Sequence, residues 1–71
     1  MKMFDKVRLS VNYYYEQGVN IGSEGYIIEK YEGNVYEVEF SDECGATIAL
    51  IAIPEKELDI VSIKKWYLQI L

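Results

Sequence analysis

Apolar and polar residues alternate with a period of two from Lys6 to Val11, where Val7, Leu9 and Val11 interleave with Lys6, Arg8 and Ser10. Successive side chains of an extended chain point to opposite faces, so this pattern predicts a strand with one buried side. The segment from Asn12 to Glu24, with Tyr13, Tyr14, Tyr15 and two glycines, reads as a long loop. A second strand is expected from about Gly25 to Tyr31 and a third from Val35 to Phe40. In the third, Tyr36, Val38 and Phe40 share one face, and Val35, Glu37 and Glu39 share the other.

Gly33-Asn34 suits a tight hairpin between those two strands, because both residues tolerate positive φ. A two-residue turn would set Tyr31 opposite Tyr36 and Lys30 opposite Glu37. It would also put Glu29 beside Val38 on the buried face, which is costly for a carboxylate unless a bulge intervenes. The hairpin is expected, and its register stays open within one residue.

Ser41 to Ala46 forms the next connection. Thr47 to Ile53 (TIALIAI) is a short, continuous apolar run, as in a strand buried along most of its length. Pro54 to Leu58 predicts one helical turn, since proline presets the first φ and the acids suit an N-terminal turn. Asp59 to Ile63 can return as a last short strand. The tail from Lys64 to Leu71 (KKWYLQIL) is apolar and fits either strand or helix. Five short strands with tight turns and one helical turn before the last describe an all-β, SH3-like five-stranded barrel over residues 1–63. Residues 64–71 are then an apolar tail, packed on the barrel or at a homodimer interface.

Composition narrows the chemistry. The chain has no histidine and one cysteine, Cys44. Histidine-based nucleophile systems are excluded, and zinc held by one soft ligand is disfavoured. Cys44 cannot form an internal disulfide, and its neighbour Glu43 holds thiol reactivity down. No catalytic, cofactor or metal residue is expected, and the chain reads as non-enzymatic. Nothing in the sequence resembles a membrane span or a secretory signal, so a cytoplasmic protein is the default.

The net charge of −5 conceals an asymmetry. From Glu16 to Asp59 eleven acids face Lys30 and Lys56, a balance of −9, whereas the two ends together carry +4. Nucleic-acid affinity comes mainly from cations that neutralise phosphates, so this centre points away from nucleic acid and towards a cationic protein. Glu37 and Glu39 on an exposed strand face, with Asp42 and Glu43 in the following turn, are the expected electrostatic contacts. Tyr13, Tyr14 and Tyr15 are expected to divide, one or two packing at the barrel lip and the rest offered to a partner as large, low-entropy contacts.

The pattern Gly22-x-x-Gly25-x-Ile27-Ile28, then Tyr36-Glu37-Val38-Glu39-Phe40, a Gly45 turn, Thr47-Ile48-Ala49-Leu50 and a closing Leu58 resembles the bacterial family catalogued as domain of unknown function 4926. The resemblance covers about Phe4 to Ile60. It implies an SH3-like barrel with no assigned enzymatic activity. It also implies gene neighbourhoods similar to toxin–antitoxin or toxin–immunity pairs. Neither the tyrosine run nor the chain beyond Ile63 belongs to the shared pattern. The expectation is therefore an immunity or antitoxin protein that covers the groove of a basic toxin such as a ribonuclease. The alternative is an accessory barrel that stabilises an enzyme or ribonucleoprotein complex.

Overall fold

Nine buried side chains meet on one face of a single antiparallel sheet and a tenth joins them from a loop, so the sheet must bend round its own core. The computed structural model describes residues 1–61. The fold is all-β, with β1 (Lys6–Leu9), β2 (Glu24–Tyr31), β3 (Val35–Ser41), β4 (Thr47–Pro54) and β5 (Leu58–Ile60) in the order β4-β3-β2-β1-β5. A short 3-10 turn, Glu55–Glu57, precedes β5, as the sequence led us to expect for an SH3-like arrangement. Among the described residues the sheet remains open, with β4 and β5 as its edges.

The core takes Val7 and Leu9 from β1, Ile27 from β2, Tyr36, Val38 and Phe40 from β3, Ile51 and Ile53 from β4, and Leu58 from β5. Val19, from the long loop, completes it. Gly25 is what lets β2 bend tightly over β3. A Cβ there would lie 2.5 Å from the Glu39 carbonyl oxygen and 3.0 Å from Phe40 Cδ1. The β2–β3 crossing therefore needs a residue without a side chain.

Several details differ from the sequence reading. β1 ends at Leu9, although the Ser10 N–H still donates to the Glu57 carbonyl at 2.9 Å, one step beyond the Leu9–Leu58 pair. The long loop contains a second 3-10 turn, Tyr15–Gln17, closed by Gly18. β5 ends at Ile60. Val61 follows outside the strand, its N–H donating to the Lys6 carbonyl at 2.9 Å, and the rest of the expected continuation to Ile63, with the packing of the tail, lies outside the described residues.

Two further differences bear on function. The β2–β3 connection has three residues, Glu32 to Asn34, with Gly33 at φ 76° and Asn34 at φ 58°. The register is thus one residue from the two-residue alternative: Tyr31 pairs with Val35, Lys30 with Tyr36, and Glu29 with Glu37. A bulge at Ile28 restores Ile27 to Val38. Glu29 escapes the core by this device, since a bulge shifts the alternation of faces by one residue. In addition, β4 is not buried along its length. It is an edge strand whose Ile51 and Ile53 enter the core while Leu50 and Ala52 face solvent.

An acidic outer sheet face

The side of the sheet away from the core carries the charges. Cross-strand neighbours share a face, so the pairings define rows. One row runs Lys6, Tyr26, Glu39, Leu50 and the next runs Glu29, Glu37, Ala52. Tyr31, Val35 and Pro54 form a third. Tyr26 and Leu50 are about half exposed, at 48% and 55%.

Glu37 and Glu39 stand here on adjacent outward positions of β3, as their alternation with Tyr36, Val38 and Phe40 requires. Each is held from one side by a hydroxyl. The Tyr31 hydroxyl donates to Glu37 Oε1 at 3.1 Å, and the Thr47 hydroxyl donates to Glu39 Oε2 at 2.7 Å. That bond to Glu37 is the main reason the Tyr31 phenol is raised above its usual range. Glu29 lies directly opposite Glu37. Like charges in that position repel, and among the described residues no lysine or arginine pairs with either.

The basic residues of β1 stand on this same side of the sheet but are paired with Glu24. Arg8 donates to Glu24 Oε2 through Nη2 at 2.7 Å and Nε at 3.1 Å, and Lys6 lies 3.3 Å from Glu24 Oε1. Arg8 first, and Lys6 second, hold the Glu24 carboxyl below its ordinary range. Lys30, which the sequence pattern paired with Glu37, sits instead 5.9 Å from the centre of the Tyr36 ring on the opposite face. The one-residue register change thus strips Glu37 of a cation and gives it an acid as neighbour.

Asp42 has a structural duty. Its Oδ1 accepts the amides of Cys44 at 2.9 Å and Ala46 at 3.0 Å, fixing the β3–β4 turn as short polar side chains do. Glu43 is exposed in that turn. Asp42 and Glu43 line a shallow depression together with Lys6, Glu24 and Tyr26, so the turn is continuous with the outer face. Cys44 is a free, exposed thiol.

The tyrosine run divides between packed and exposed side chains. Tyr14 is half-buried and donates its hydroxyl to Glu57 Oε1 at 2.5 Å, while Tyr13 and Tyr15 are 71% and 62% exposed. Burial first, then the bond to Glu57 and its charge, push the Tyr14 phenol up to about 12. Glu57, itself 9% exposed, is in turn held against β1 by the Ser10 amide. Tyr14 is thus an anchor for the loop, whereas Tyr13 and Tyr15 stand exposed. Gly18, which closes the Tyr15–Gln17 turn, packs against Ile48 of β4.

The family model for the domain of unknown function (DUF4926) matches residues 3–60. The chain belongs to this family. No curated protein and no solved structure matches it. The family assignment covers the whole described sheet and names no activity. Sequence reasoning alone missed Glu29, Tyr26 and Leu50 as parts of the outer face. Tyr26 could have been found from the alternation with Gly25 and Ile27. Glu29 could not, since its face depends on the bulge.

Proposed function

We propose that this member of the family is a protein-binding module that uses its acidic outer face to dock onto a basic protein. In the fuller form of this reading it is an immunity or antitoxin protein covering the phosphate-binding groove of a basic toxin such as a ribonuclease. The observation that supports it is the Glu29, Glu37, Glu39 cluster, in which two acids face each other across strands with no cation alongside among the described residues. Such an arrangement costs folding stability in isolation and is relieved when lysine or arginine arrives from outside. Long-range attraction to a positive surface accelerates encounter, and the aromatic rings of Tyr26 and Tyr31 offer contact area beside the charges.

The test is charge reversal at Glu37, Glu39 and Glu43, leaving Asp42 intact because it holds the turn. Affinity for the product of the neighbouring reading frame is measured at low and high salt. The reading expects weaker binding and a shallower salt dependence in the reversed variant. Unchanged affinity and unchanged salt response would refute it. Loss of toxicity protection in cells on the same substitutions would separate neutralisation from mere association.

A further inference from the structure

β4 closes the sheet on one side, and among the described residues its outer main-chain edge makes no backbone hydrogen bond. In a strand, alternate residues direct N–H and C=O towards each side, so the edge away from β3 presents a row of unused donors and acceptors. Natural edges are commonly guarded by lysine, proline or an inward-pointing charge. This edge is guarded at its two ends, by a bulge at Ile48 and by Pro54, but from Ala49 to Ile53 it has none of these, and it exposes Leu50 at 55%. The outer face beside it is acidic. Glu39 lies next to Leu50, and Glu37 lies next to Ala52.

Taking the acidic-face reading as its basis, we propose that the basic partner docks by strand addition: an extended segment with lysine or arginine at alternate positions pairs with the open edge of β4. Register supplies the selectivity. A residue added opposite Leu50 falls on the face of Glu39, and one two positions away, opposite Ala52, falls on the face of Glu37. Two strand spacings, about 9.6 Å, separate such a residue's Cα from that of the glutamate in its row. A long cationic stem crosses that gap over the methyl of Ala52, whereas a short side chain does not. Tyr31 occupies one oxygen of Glu37 and Thr47 one oxygen of Glu39, so each carboxylate keeps its second oxygen for the incoming cation. Main-chain bonds supply affinity for any extended segment, and the two glutamates choose a basic one.

The probe is a short end-blocked peptide of alternating lysine and valine, compared with the same peptide methylated on every backbone nitrogen. Methylation preserves charge and removes every ladder donor. Calorimetry gives the affinities, and amide hydrogen exchange on the intact chain reports where the peptide lies. The proposal expects new protection at alternate amides of β4 and at least about tenfold weaker binding of the methylated peptide. It also expects about tenfold weaker binding to Leu50→Lys, which places a guard charge on the edge without entering the core. Three results overturn it. If both peptides bind alike, with no β4 protection, yet Glu37→Lys/Glu39→Lys still abolishes binding, strand addition is wrong and the acidic-face reading survives. If β4 becomes protected but the double reversal has no effect, the edge is indifferent to charge and both readings fall. If the free chain sediments as a dimer with β4 already protected, a second copy is the occupant.

Discussion

Replacing Tyr14 with phenylalanine removes one oxygen and, with it, the 2.5 Å bond to Glu57. The ring still fills its half-buried site, so the loss isolates the hydrogen bond. A bond to a charged acceptor contributes roughly 1.5–3 kcal/mol, and an acceptor this buried has no easy route to water. We expect Tyr14→Phe to destabilise by about 2 kcal/mol. For 71 residues the total stability is about 4–10 kcal/mol, so this is a large fraction. The melting temperature should fall by roughly 10 °C. The pH dependence gives a second, independent signature. Below pH 10.0 the phenol is protonated whether the chain is folded or not, and the bond contributes in full. Between pH 10.0 and about 12 the unfolded phenol gives up its proton while the folded one keeps it, so stability falls as pH rises. The difference in stability between wild type and Tyr14→Phe must shrink across that window. Urea unfolding followed by circular dichroism, repeated on Glu57→Gln and the double variant, measures the coupling directly. A Tyr14→Phe loss under about 0.5 kcal/mol, with no coupling to Glu57, would refute the anchoring role.

Two other outcomes follow from the same geometry. Gly25→Ala forces a methyl to within 2.5 Å of a carbonyl oxygen; it should cost about 3 kcal/mol, and a melting scan that shifts by less than a few degrees would contradict the tight β2–β3 crossing. Glu24→Gln removes a carboxyl that Arg8 and Lys6 hold below its ordinary range. Such a group stabilises the fold above its unfolded pKa and stops doing so as pH falls through the folded one, so the variant should show a flatter loss of stability under acid, read by pH-dependent unfolding.

The outer face shows how small a backbone change can redirect a reading. Period-two alternation located β3 and assigned Glu37 and Glu39 correctly to solvent, because inward positions there hold Tyr36, Val38 and Phe40 without interruption. The same logic failed for Glu29 and Lys30, since a three-residue connection and a bulge at Ile28 moved them to each other's expected faces. The apolar run of β4 misled in a different way. Continuous hydrophobicity suggested burial on both sides, yet the strand lies at an edge and leaves Leu50 in solvent. Asp42 read as a binding residue by its charge, and its first task is to cap a turn.

By itself the sequence determined the all-β class, the order of strands and turns, the massing of negative charge in the middle of the chain, and the family. Those properties are local or compositional: alternation, turn chemistry and counts of acids act within a few residues and need no partner. Tertiary structure decided which acids stand together, which tyrosine is an anchor, and which strand ends the sheet. Each of those depends on register and on neighbours far along the chain, and a slip of one residue in an extended strand exchanges its two faces.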